Sequence, residues 1–283
     1  MGYIEVFART EVGCARERNE DAFLVLHLGQ GQSGIRPEQR LCELSPPGTL
    51  MAICDGMGGA AAGDVASRMA IEAIEKTARA QGVSSPDDAE RMLLAAVTEA
   101  NRSIGEFTRR HPDKRGMGTT FTAVVAMATE LVIAQVGDSR AYLKRGRMLQ
   151  QLTMDQNVVG QMIAAGKLRP EDARNFKQRN VLLEAIGVQE RVGPDVVRVR
   201  IRAGDVLMLC SDGLTGPLTD HQVLDHMLRH EDPVRCCRAL TEAACSAGGP
   251  DNVTVGLMRF VGGDLPVPQG QEMIEFERRS ALA

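Results

Sequence analysis

Four apolar, strand-length runs in this chain each meet an aspartate at their edge. Asp55 closes "MAICD", Asp138 follows "LVIAQVG", Asp212 follows "VLMLCS", and Asp251 stands just before "NVTVGLM", each with a glycine within three residues. One such aspartate reads as a turn residue, because Asp and Gly both favour tight turns. Four in the same setting restrict the fold much more. If their strand ends converge, several carboxylates crowd a partly desolvated region, where like charges repel unless protons or a cation neutralise them.

The periodicity supplies the elements between these runs. Residues 4 to 28 read as strand, loop, strand, with the charged "RERNED" between them, and residues 30 to 48 as a polar surface insertion. After "TLMAIC" a helical pattern is expected from about Ala60. A second helix is marked by Ser85 as its cap, Pro86 at its first position, and an apolar stripe of Leu93, Ala96, Val97, Ala100, Ile104 and Phe107. From Met117 the period shortens: "TTFTAVVAMA", "LVIAQVG", "RAYLKRG" and "RMLQQL" read as an antiparallel meander. Residues 155 to 190 return to short helical pieces and loops. "VVRVRIR" alternates, "VLMLC" is fully apolar, and two closing helices follow, opened by a Thr219/Gln222 capping box and by Asp232-Pro233. After a last strand, "NVTVGLMRF", the segment 262–283 shows no period and reads as a tail free to move. The main domain is therefore set at 1–261.

Several classes are disfavoured. With 43% hydrophobic residues a substantial core can be filled, while a net charge of -4 without a Lys/Arg cluster argues against nucleic acid. No apolar stretch approaches the roughly 18 residues of a membrane span, and the N-terminus lacks a signal layout, so neither membrane nor export is expected and the cytoplasm is. Seven scattered cysteines with no C-x-x-C pair suggest reduced thiols rather than disulfides or zinc. A cysteine-nucleophile phosphatase needs C-x5-R, which no cysteine here satisfies. An aspartate-nucleophile phosphatase would want D-x-D, which is absent, as is a P-loop.

Among remedies for crowded carboxylates a cation is the simplest, and hard oxygen donors suit Mg²⁺ or Mn²⁺. The carbonyl of Gly56 could complete a shell where a side chain would crowd it. Glu20 and Asp21 could hold waters around such an ion. Arg16 or Arg18 offers the fork that grips a phosphate with two charge-assisted hydrogen bonds.

"CARERNEDAF", "ICDGMGGAAAGDVAS", "GMGTTFTAVV", "VGDSRAYLKRG", "LTMDQN", "LCSDGLTG" and "GPDNVTV", in this order, resemble the bacterial branch of the metal-dependent serine/threonine protein phosphatases, the protein phosphatase 2C family. The resemblance runs from about residue 3 to 261. It implies an α+β fold, a four-layer α-β-β-α sandwich of two antiparallel sheets flanked by helices. It implies Mn²⁺ or Mg²⁺, as two core ions and a third, with Asp55 bridging two ions and Gly56 lending its carbonyl. By the same resemblance Asp212 and Asp251 ligate the second ion, Asp138 with Asp212 holds the third, Glu20 and Asp21 act mainly through waters, and Arg16 rather than Arg18 grips the phosphate. Asp55, Asp212, Asp251 and Arg16 would then be the catalytic set. The partners implied are phosphorylated proteins and a cognate serine/threonine kinase, and a monomer is expected.

Two positions depart from the family pattern. Met57 stands where animal relatives carry a histidine thought to protonate the leaving group, and Gln156 where bacterial relatives commonly have histidine. Two other readings stay open at this stage. One is a phosphatase dedicated to a single phosphoserine regulator of the anti-sigma antagonist type. The other is a catalytically silent binding module, which retention of all four aspartates disfavours.

Overall fold

The computed structural model describes residues 2–29, 32–33, 40–58, 62–169, 172–173, 176–178, 181–262, 265–270 and 272–280. Its first sheet has six strands, in the order β10 (Met148–Gln151), β9 (Arg140–Arg145), β12 (Val206–Cys210), β13 (Val253–Gly262), β1 (Gly2–Glu11) and β4 (Leu41–Glu43). The second has eight: β14 (Phe276–Ser280), β11 (Asp195–Arg200), β8 (Glu130–Val136), β7 (Phe121–Met127), β5 (Thr49–Met57), β2 (Asp21–His27) and β3 (Gln32–Ser33) in order, with β6 (Gly118–Thr119) paired to the end of β5. The pairings in both sheets are antiparallel, as the short connections of the meander require.

The sheets stack face to face and helices cover both outer faces, so the chain is the expected α-β-β-α sandwich. Three apolar layers follow. Against the second sheet lie α1 (Gly63–Ala80) and α2 (Pro86–Arg110), packed on Leu24, Leu50, Ala52, Cys54 and Val125. Between the sheets lie Ile4, Val6, Val25, Met51, Ile53, Leu207, Leu209, Met258 and Phe260. Against the first sheet lie α4 (Asp212–Thr215), α5 (Asp220–Arg229) and α6 (Pro233–Ser246), packed on Met208, Cys210, Val255 and Leu257. Alternation along a strand explains the apolar runs: Leu50, Ala52 and Cys54 face the helices while Met51 and Ile53 face the other sheet. A strand covered on both faces has no polar side to show.

Helix ends obey the local rules. Ser85 accepts the Asp88 N–H at 3.2 Å with Pro86 at the first helical position, the Thr219/Gln222 box is formed in both directions, and Asp232 caps α6. The helix expected from about Ala60 begins at Gly63, and Ala60 itself lies outside the described residues. Within the insertion at 30–48, Leu41–Glu43 is a strand paired to β1; residues 30, 31 and 34–39 lie outside the described ones.

The tail needs correction. Phe276–Ser280 pairs with β11 as an edge strand, and Leu265 and Ile274 are buried in the layer between the sheets. Glu272 is gripped by Arg202 at 2.7 Å, and the Met273 carbonyl accepts from Arg145, whose guanidinium forms a buried pair with Asp205 at 2.8 Å. These anchors are sparse, part apolar and part polar, and their partners are far away in sequence, so they leave no period to read.

Candidate metal centre

Strand parity aims the first two carboxylates at each other. Asp55 continues the Met51, Ile53 side of β5, and Asp21 the Phe23, Val25 side of β2, so both look into the gap between the sheets at its open end. They are direct cross-strand partners. The apolar layer turns polar here. Asn19 Nδ2 donates to Thr10 Oγ1 at 2.7 Å, Thr10 and Thr254 join through their hydroxyls at 2.8 Å, and Thr254 Oγ1 donates to Asp21 Oδ2 at 2.6 Å. Ser211 Oγ donates to the same oxygen at 2.8 Å, while Asp21 Oδ1 is buried with no partner.

The backbone around Asp55 is held on both sides. Thr120 Oγ1 accepts the Asp55 N–H at 2.9 Å, and the Asp55 carbonyl accepts Thr119 Oγ1 and the Thr120 N–H, each at 2.8 Å. Gly56 is glycine for lack of space: a Cβ would stand 2.1 Å from the Gly63 carbonyl oxygen and 2.6 Å from that of Glu20. A Cβ on Gly63 would meet the Glu20 carboxylate at 2.8 Å. Glu20 thus lies against the first turn of α1, the natural place for an anion on a helix. Of the glycine run, Gly59 lies outside the described residues.

The other carboxylates arrive from the first sheet and its connections. Asp212 opens α4 directly after β12. Asp138 lies in the turn from β8 to β9 and accepts Asn157 Nδ2 at 3.0 Å; Asn157 also caps α3 (Val158–Ala164) by accepting the Gly160 N–H at 2.8 Å. Gln156 clamps the same turn: its Oε1 accepts the Gly137 N–H at 2.9 Å, its Nε2 donates to the Gly193 carbonyl at 3.1 Å. Asp251 carries Arg16, whose Nη2 donates to Oδ2 at 2.8 Å, so two residues given separate roles by resemblance are paired with each other. Arg18 lends its carbonyl to Asn252.

Burial and mutual repulsion raise the affinity of these groups for protons. Burial, then the charges of Asp21, Asp212, Asp138 and Asp251, pushes Asp55 well above the ordinary carboxylate range. Burial lifts Asp21 to about 6 against the pull of Thr254 and Ser211, and lifts Asp212 to about 6 with Asp251 and Asp21 adding to it. Asp138 is lifted to about 7 by burial and Asp212, and Glu20 is raised chiefly by burial. The side chain of Asp251 keeps 28% of its surface exposed, and Arg16 50%. Among the described residues no three His, Cys, Asp or Glu side chains close into a cage around one point. The donor set nonetheless fits a hard cation. It offers crowded carboxylates held short of full ionisation, a buried carboxylate oxygen without a partner, and at Gly56 a carbonyl-bearing residue with no room for a side chain. An ion sharing carboxylates with a carbonyl and waters needs no cage of three side chains.

All seven expected ligands therefore lie in or against one polar region at the open end of the inter-sheet layer. Missing from the sequence reading are the residues that hold it. Asn252 is chief among them: its Oδ1 accepts the Glu20 N–H, and its Nδ2 donates to the Val12 and Arg18 carbonyls, each at 2.8 Å. One buried side chain so fastens the whole 12–20 loop to β13. Its position directly after Asp251 was the available signal.

The chain is similar to known proteins over most of its length. The family model for protein phosphatase 2C matches residues 39–244. Serine/threonine phosphatase stp of Listeria monocytogenes is 36% identical over 258 residues, covering 88% of this chain and 93% of the relative. Serine/threonine protein phosphatase PstP of Mycobacterium tuberculosis is 36% identical over 248 residues, 88% of this chain but only 43% of the relative, so this chain spans less than half of that longer protein. The crystal structure of the catalytic domain of PstP in complex with two manganese ions superposes with a TM-score of 0.76 at 32% identity, covering 93% of this chain and all of that one.

Proposed function

Because the chain belongs to the protein phosphatase 2C family, we propose that it hydrolyses phosphoserine and phosphothreonine on proteins with Mn²⁺ or Mg²⁺ as cofactor. The observation that carries this reading is the meeting of five aspartates, Asp21, Asp55, Asp138, Asp212 and Asp251, at one polar end of an otherwise apolar layer. Asp55 and the Gly56 carbonyl would hold one core ion, with Asp55, Asp212 and Asp251 on the second, and Asp138 with Asp212 on a third. The chemistry such ions would supply is neutralisation of the carboxylates, a lowered pKa for water and stabilisation of charge on the phosphoryl oxygens.

The chain's own residues do the rest. Glu20 and Asp21 accept hydrogen bonds from waters; the free Oδ1 of Asp21 suits this, since its Oδ2 is committed to Ser211 and Thr254. Arg16 forks the substrate phosphate. In this structure its Nη2 donates to Asp251 Oδ2, and exchanging that carboxylate for the phosphate would keep the guanidinium's charge-assisted hydrogen bonds satisfied. Met57 cannot carry a proton to the leaving group. Signalling opposite a cognate serine/threonine kinase, a cytoplasmic place and a monomeric state complete the reading; among the described residues no helix is long and apolar enough to cross a membrane.

Release of phosphate from a phosphothreonine peptide tests it, measured in EDTA and after Mn²⁺ or Mg²⁺ is added back, alongside Asp212→Asn. Activity restored by metal in the wild type and absent from the variant is expected. A variant as active as the wild type overturns the assignment of Asp212.

A further inference from the structure

Five of the seven cysteines, Cys42, Cys54, Cys210, Cys236 and Cys237, are buried; Cys14 is exposed and Cys245 partly so. Cys14 lies on the loop between β1 and β2 and Cys245 in the last turn of α6, 231 positions apart. The Cys14 thiol donates to the Cys245 carbonyl at 3.6 Å. The surrounding backbone is already zipped: the N–H groups of Cys14 and Ala15 donate to the Gly249 carbonyl at 2.8 and 3.2 Å. Gly249 has φ +46°, and a Cβ there would stand 3.0 Å from Cys14 Sγ and 3.1 Å from the Cys245 Cα. The space that a side chain would fill is shared by the two cysteines.

We propose that Cys14 and Cys245 form a modification site for peroxide, closing to a disulfide that ties the Arg16 loop to the end of α6. The exposed Cys14 sulfur attacks one peroxide oxygen; the O–O bond breaks, Cys14 becomes a sulfenic acid, and the other oxygen leaves as water. The Cys245 thiol loses its proton and its sulfur attacks the Cys14 sulfur. The S–S bond forms, the S–O bond breaks, and the hydroxyl takes up the proton and leaves as a second water. Two thiols are oxidised by two electrons and one peroxide is reduced. The placement gives the bond a consequence. Arg16 is two residues beyond Cys14 and Asp251 six beyond Cys245, so the cross-link holds the guanidinium where it sits, over Asp251, and away from the phosphate.

The effect on turnover rests on the phosphatase reading; the cross-link itself does not. The reduced full-length chain is exposed to hydrogen peroxide, digested without reductant and mapped by mass spectrometry. A linked Cys14–Cys245 peptide pair is expected, absent in Cys14→Ser and in Cys245→Ser and removed by dithiothreitol. With the wild type cross-linked, KM for a phosphothreonine peptide is expected to rise roughly tenfold, the loss of about one charge-assisted contact, while both serine variants keep their kinetics in peroxide. Recovery of Cys14 as sulfinic or sulfonic acid with Cys245 still a free thiol overturns the site. An unchanged KM in fully cross-linked protein overturns its link to Arg16. A protein that is cross-linked but inactive under every condition leaves the site standing and counts against the phosphatase reading.

Discussion

Replacing Asp55 by Asn should make the metal-free protein more stable while removing its activity. Asp55 keeps a rim exposed to solvent but is pushed well above the ordinary carboxylate range by burial and four neighbouring carboxylates. A carboxyl whose folded pKa is raised must take up a proton on folding at any pH between its unfolded and folded values. Its stability is fully present below the unfolded pKa and is lost as pH rises towards the folded one, with a slope of about 1.4 kcal/mol per pH unit. Each pH unit climbed between those two values costs at most about 1.4 kcal/mol, a ceiling because of the exposed rim. Asn carries no such cost. Thermal unfolding in EDTA should therefore show the variant several degrees above the wild type, at roughly 2 °C or more per kcal/mol for a chain of this size. The gap should shrink towards pH 4. Adding Mn²⁺ should reverse the order, since a ligand at about a hundred times its Kd stabilises the wild type by about 2.7 kcal/mol and the variant has lost a shared ligand. A variant no more stable than the wild type in EDTA, or a gap that does not widen with pH, would refute the reasoning.

Other perturbations test neighbouring parts of the structure. Asp251→Asn should nearly abolish metal-dependent phosphate release, whereas Arg16→Ala should mainly raise KM, by about tenfold for a lost phosphate fork, in steady-state assays on a phosphopeptide. Asn252→Ala removes three hydrogen bonds of 2.8 Å and leaves buried backbone groups unpaired, which should cost about 3–5 kcal/mol in urea unfolding and quicken amide exchange over residues 12–20. Asp205 is fully buried and holds Arg145, so Asp205→Ala should cost about 3–5 kcal/mol by stranding a buried guanidinium, with activity per folded molecule retained.

Signals carried within a few residues were legible in the sequence by itself. Ser85, Thr219 and Asp232 cap helices through bonds that span three positions, and the run at 50–54 is apolar throughout because both of its faces are covered. Aspartates set against core strands marked the place where chemistry could gather, and seven motifs in order pointed to the family and its sandwich. Tertiary structure alone decided what meets what. Asp21 faces Asp55 because β2 pairs with β5 in one register, and a slip of β2 by one residue would turn Asp21 out of the gap and away from Asp55. Asn252, Thr254, Ser211 and Thr10 read locally as ordinary polar residues and become the fastening of the site only when β1, β13 and β12 lie side by side. The pairing of Arg16 with Asp251 and the return of 276–280 as an edge strand are likewise contacts between distant segments. Periodicity reports which face of an element is buried. The partner across that face is set by packing and register, over sequence distances that no local pattern spans.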